Sequence, residues 1–108
     1  MTNAADFRRI ALALPGVAEY LHFDRHAFKA RVTFATLAPD ELTANLKFAP
    51  DEQALKCELA PGTFTPVPNA WGARGATTAK LSALSVPELQ DALTIAWRHA
   101  IATKGRGR

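Results

Sequence analysis

The sequence predicts one α+β domain, an antiparallel β-sheet with an N-terminal and a C-terminal helix packed on one of its faces. Three observations carry that class. Phe7, Ile10, Ala11 and Leu14 recur at helical spacing near the start of the chain. Between Val17 and Phe48, aromatic and β-branched residues come in short runs separated by tight turn signals. A second apolar stripe begins behind Ser85-Val86-Pro87-Glu88 near the end. Strands joined by links too short for a crossover helix pair antiparallel. Helices flanking such a sheet bury their stripes against it, and the sheet's other face is left for water or a partner.

The elements follow in order. Asn3 is placed to cap the first helix, with Asp6 in its first turn and Pro15-Gly16 ending it. Glu19–Phe23 reads as a strand, Asp24-Arg25-His26 as a turn, and Ala27–Arg31 as the returning strand. A bend near Arg31-Val32 starts Thr33–Leu37, and Pro39-Asp40-Glu41 makes the next turn. In Thr43–Phe48, Ala44, Leu46 and Phe48 alternate with Thr43, Asn45 and Lys47. Pro50, Asp51 and Glu52 open a short helix in which Leu55 and Leu59 share a face, and Pro61-Gly62 closes it. Thr63 to Leu81 is the most marked stretch, with Pro66, Pro68, Gly72 and Gly75 around Trp71 and Arg74. It reads as a structured loop or edge rather than a helix or a central strand, followed by a strand over Thr77–Leu81. The last helix uses Ser85 and Glu88 as a capping box, buries Val86, Leu89, Leu93, Ala96, Trp97 and Ala100, and runs to about Ala102. Residues 1–103 form the domain, and Lys104–Arg108 is expected to be a disordered basic tail.

Composition narrows the function classes. The 108 residues are 48% apolar and 21% charged, ordinary for one globular domain. A single cysteine, Cys57, excludes an intramolecular disulfide and a cysteine-based zinc site. No apolar run reaches the roughly 20 residues of a membrane span, and a cytoplasmic location is expected. The net charge of +3 comes from Lys104, Arg106 and Arg108, so the body is neutral. Polyanion binding must therefore rest on local clustering of basic residues.

Catalytic signatures are missing: no Gly-x-Ser-x-Gly, no phosphate loop, no His-Glu-x-x-His. His22, Asp24 and His26 would share a face of an unbroken strand and offer ligands for zinc or iron. The turn at Asp24–His26 breaks that alternation, and neither a metal nor a cofactor is assigned. His99 stands alone beside Arg98, and no catalytic residue is assigned either. The basic residues suggest more. Lys29 and Arg31 fall on one face of a strand, Lys47 and Lys80 on others, and Arg74 accompanies Trp71 in the marked loop. Such a face could grip phosphates and stack on a base. It could equally be a solvated, lysine-blunted sheet surface with Trp71 in the core.

Several segments resemble the MmcQ/YjbR family. They are Ala11-Leu12-Ala13-Leu14-Pro15-Gly16-Val17-Ala18-Glu19, His22-Phe23-Asp24-Arg25-His26-Ala27-Phe28, Phe34-Ala35-Thr36-Leu37, Asn45-Leu46-Lys47-Phe48, Asp51-Glu52-Gln53-Ala54-Leu55 and, most specifically, Phe64-Thr65-Pro66-Val67-Pro68-Asn69-Ala70-Trp71-Gly72. The likeness spans roughly Phe7 to Trp97. Asp24 and His26 stand where the family often has glycine and proline. The resemblance implies a frataxin-like (CyaY-like) α+β fold, and the family is commonly labelled DNA-binding. Frataxin's iron handling is a rival. It relies on an acidic first helix, whereas Asp6 here faces Arg8 and Arg9. The resulting expectation is a monomeric, non-enzymatic module that binds DNA or another polyanion through Lys29, Arg31, Lys47, Trp71, Arg74 and Lys80. The alternative is a small-anion or protein-interaction site in which Arg31 and Trp71 converge in a concavity. An enzyme would need His22, His26 or His99 to meet a carboxylate inside a pocket.

Overall fold

In the computed structural model, which describes residues 1–102, α1 runs Ala4–Ala13. Lys104–Arg108 lies outside the described residues. Asn3 accepts from the Asp6 amide and the Asp6 carboxylate accepts from the Asn3 amide, closing a capping box. The chain continues through β1 (Ala18–His22), β2 (Arg25–Lys29), β3 (Thr33–Leu37) and β4 (Thr43–Lys47). Then come α2 (Pro50–Leu59), β5 (Phe64–Pro66), the short α3 (Ala70–Ala73), β6 (Ala76–Lys80), a 3₁₀ turn (Leu81–Ala83) and α4 (Val86–Ala102). The six strands form one antiparallel sheet in the order β1-β2-β3-β4-β6-β5. The α+β class and the terminal helices on one sheet face are as the sequence predicts.

Residues paired directly across an antiparallel sheet share a face. The register therefore sorts the side chains. One face carries the row Phe28–Ala35–Leu46–Thr77 and the row Leu37–Ala44–Ala79–Phe64, all buried. Leu89, Ala92, Leu93, Ala96 and Ala100 of α4 and Phe7, Ile10 and Ala11 of α1 close over it. Phe7 meets Phe28 edge-on at 5.3 Å. The register slips between Phe28 and Lys29, leaving Phe34 as an extra residue on β3, and both Phe34 and Ala35 are buried. That bulge supplies one more aromatic ring to the core than strict alternation allows.

Several boundaries differ from expectation for identifiable reasons. The first hairpin turns at Phe23-Asp24, because His22 pairs with Arg25 and Phe23 takes a left-handed φ of 57°. Arg25 and His26 thus belong to β2 rather than to a turn. At the other end β2 stops at Lys29, and Arg31 sits in the bend, so Lys29 and Arg31 do not share a strand face. The marked stretch contains an edge strand and one helical turn, where only a loop or edge was expected. On α2, Leu55 and Leu59 point outward at 51% and 73% exposure, and no residue of that helix is fully buried. Cys57 packs against the core instead, and burial raises its thiol pKa, which keeps it protonated. On α4, Val86 is exposed and Trp97 half-buried, its Nε1 donating to the Pro15 carbonyl at 3.0 Å.

One ionic cluster ties the outer hairpin to α1. Arg8 donates to both oxygens of Glu19 at 2.9–3.1 Å, and His26 Nδ1 lies 2.8 Å from the same carboxylate. The Arg8 hydrogen bonds hold Glu19 below its ordinary value of 4.5. A carboxylate depressed on folding stabilises the native state above its unfolded pKa and loses that contribution as pH falls through the folded value. Glu19→Gln should therefore lower stability by about 1 kcal/mol at neutral pH. In urea titrations the gap from wild type should close as the pH falls below about 4; a constant gap would mean that the charge is irrelevant.

Candidate functional site

The site begins with how Trp71 is held. Asn69 caps α3, its Oδ1 accepting from the Trp71 amide at 2.8 Å. Gly72 is buried against the strand it follows: a Cβ there would lie 1.7 Å from the Val67 carbonyl oxygen. Gln53 of α2 donates to the carbonyls of Gly72 and Ala76, both at 2.9 Å. These contacts fasten a four-residue helix to the rim of the sheet's uncovered face. Trp71, 56% exposed, projects from it. Lys47 Nζ stands 5.6 Å and the Arg74 guanidinium 5.4 Å from the indole, within cation–π range.

The uncovered face follows from the same register that buries the other. Tyr20, Ala27, Thr36, Asn45, Thr78 and Thr65 form its central row. Lys29, Thr33, Lys47 and Ala76 lie toward one end, and His22, Arg25, Thr43 and Lys80 toward the other. Every charged strand residue on this face is therefore basic: Arg25, Lys29, Lys47 and Lys80. The acidic strand residue, Glu19, pairs with Phe28 and falls on the opposite face. Among the described residues, no ion pair engages these four cations, Arg31 or Arg74.

Two hollows adjoin the indole and share Lys47, Trp71 and Ala76. One, of about 370 Å³, extends over His22, Arg25, Thr36, Asn45 and Asn69. The other, of about 200 Å³, runs toward Val32, Arg74 and His99. No carboxylate lines either one. Lys29 ends its strand on the same face and at the same end as Lys47, two strands away, roughly 10 Å. Lys80 shares the face but not the cluster. It pairs with Thr43, four residues along from Lys47, roughly 13 Å. There it lines a separate threonine-rich hollow with Asp40 and Glu41. Arg31 is exposed in the β2–β3 bend and lines neither hollow beside Trp71.

The candidate ligands His22, Asp24 and His26 separate: Asp24 is in the turn, His22 faces the open surface and His26 points to Glu19. Among the described residues no three His, Cys, Asp or Glu side chains gather as a metal site. Arg25, Thr36, Asn45 and Asn69 were not singled out in the sequence. Counting alternation back from Lys29 through Ala27 reaches Arg25, so the signal was present once the turn is moved to Phe23-Asp24.

The sequence profile of the YjbR family matches residues 12–99. The chain belongs to the YjbR family. The match takes in all six strands and the Trp71 segment. A crystal structure of Deinococcus radiodurans protein DR2400, with domain DUF419, aligns over 100% of this chain and 84% of that one. Its TM-score is 0.79 at 19% identity, a likeness of fold. No curated protein matches the chain. Among the described residues no helix of this YjbR domain is long and apolar enough to cross a membrane.

The Gly72 contact sets a direct test of how Trp71 is placed. Gly72→Ala puts a methyl group into the Val67 carbonyl and should cost about 2 kcal/mol or more. A fall in melting temperature of roughly 5 °C or more is expected; an unchanged melt would show that α3 is not locked to β5.

Proposed function

We propose that this YjbR domain is a non-enzymatic, monomeric DNA-binding module that uses its uncovered sheet face. The observation that carries the reading is the segregation of charge. Arg25, Lys29, Lys47 and Lys80 occupy that face with no acidic strand residue among them, although the body as a whole is neutral. Phosphate binding depends on such local density, because each neutralised phosphate releases condensed counterions. Trp71 adds an exposed aromatic surface between Lys47 and Arg74, the pairing of cation and ring that suits an unstacked base. The half-open hollows leave a strip along which a strand could run.

His26 meets the Glu19 carboxylate in the tie to α1, and neither residue lines a hollow beside Trp71. Lys29, Lys47 and Arg74 with Trp71 form the centre of the proposed surface. Arg31 extends it at the bend, and Lys80 continues the same face at its far end.

Fluorescence anisotropy with labelled single-stranded and duplex DNA tests the reading. At low salt the dissociation constant should fall in the micromolar range, about 1–100 µM. With four or five phosphate contacts, log K should drop against log salt with a slope of roughly −3 to −4.5. Lys47→Glu and Arg74→Glu should each weaken binding by about tenfold. No binding at low salt, or affinity indifferent to both reversals, would remove the proposal.

A further inference from the structure

The polar groups around the larger hollow are matched in an unusual way: the side-chain oxygens of Thr36, Asn45 and Asn69 are engaged as acceptors, while most of the donors in the set are left over. Thr36 Oγ1 accepts from Arg25 Nε at 3.1 Å, so its own hydroxyl proton remains to give. Asn45 Oδ1 accepts from the Thr78 hydroxyl at 2.9 Å, leaving its NH₂ as donor. Asn69 Oδ1 accepts from the Trp71 amide at 2.8 Å, which leaves its NH₂ likewise. Lys47 can only donate, and no ion pair engages it among the described residues. Arg25 completes the set. Its Nε is fixed on Thr36, while its Nη2 is shielded from solvent with no partner among the described residues. A buried, unpartnered guanidinium nitrogen is costly and calls for an acceptor.

A hollow lined by donors suits a ligand made only of acceptors. Its two cations require that ligand to be anionic. The volume of about 370 Å³ lies in the range of small-molecule sites, and Trp71 forms one wall. A phosphodiester inside a strand offers two free oxygens and one charge. A phosphomonoester offers three and close to two charges, which better fits donors on five side chains. We infer that the hollow between Arg25 and Trp71 is a phosphomonoester subsite, receiving the phosphate of a nucleotide whose base lies against the indole. The Arg25 guanidinium would hold the phosphate, Asn45, Asn69 and Thr36 would ring it, and Lys47 would balance the second charge. The inference builds on the nucleic-acid reading for its ligand class and shares Arg25, Lys47 and Trp71 with it; Thr36, Asn45 and Asn69 belong to the subsite alone, and Arg74 lines only the neighbouring hollow.

Calorimetric titration of the full chain with dAMP and with deoxyadenosine tests it. dAMP should bind at least about tenfold tighter than the nucleoside. Arg25→Gln and Asn45→Asp should each weaken dAMP by about tenfold. Arg98→Glu, a charge reversal at an exposed position of α4 that lines neither hollow, should change it less than about threefold. Thermal melts of the two hollow variants, expected within a few degrees of wild type, separate lost contacts from lost fold. Oligothymidylate with and without a 5′-phosphate distinguishes the sources. A phosphate-dependent gain abolished by Arg25→Gln identifies a strand end, and dAMP binding without that gain identifies a free nucleotide. Equal binding of dAMP and deoxyadenosine, no binding of either, or dAMP affinity untouched by both folded variants overturns the subsite. DNA binding that survives such a result leaves the strand-binding surface standing, and dAMP binding without DNA binding does the reverse.

Discussion

Alternate residues of a β-strand point to opposite faces, and here one set is committed to burial. Phe28, Leu37, Ala44, Leu46 and Ala79 lie under α1 and α4 with essentially no exposure. A slip of one residue would exchange the faces, exposing these side chains and driving lysines into the core. The register is therefore held by the hydrophobic effect, at about 25 cal/mol for each Å² of apolar surface covered. The positions of Arg25, Lys29, Lys47 and Lys80 on the uncovered face are a consequence of that burial. Charge on one surface and packing on the other are two readings of one alternation.

The division also separates the proposed binding surface from the packed core. Lys47 is exposed and Asn45 half-buried on the open face, whereas their neighbours Leu46 and Ala44 are fully buried. On the proposed reading, substitutions at the first pair would touch recognition, and substitutions at the second would touch the fold. The Trp71 wall is the exception, because its position depends on Gly72, Asn69 and Gln53, contacts internal to the protein.

Much of this architecture could be read from the chain. The helices announced themselves through capping residues and spacing: both Asn3 and Ser85 make the boxes their positions suggest. Lys47, Trp71 and Arg74 were recognisable by composition, and they do meet. Arg25 was lost because the first turn carries no glycine: Phe23, a bulky residue, adopts the left-handed angle, and sequence preference pointed one residue further on. Lys29 and Arg31 were given one strand face because β2 was read two residues too long; it stops at Lys29, and Arg31 falls in the bend. The helical turn at Ala70–Ala73 has only one turn and two flanking prolines. Its existence depends on a capping side chain and on contact with Val67, which periodicity does not register. The outward turn of Leu55 and Leu59 likewise depends on where α2 docks, a tertiary fact.

Phe23 has a consequence beyond boundary placement. Left-handed backbone costs a side-chain-bearing residue roughly 1–2 kcal/mol, and this ring is 87% exposed, edge-on to His22 at 4.7 Å. Glycine would suit that angle better and would remove an apolar ring from water. The hairpin tip is thus a point of local tension that the fold itself does not require, in the same hairpin as His22 and Arg25.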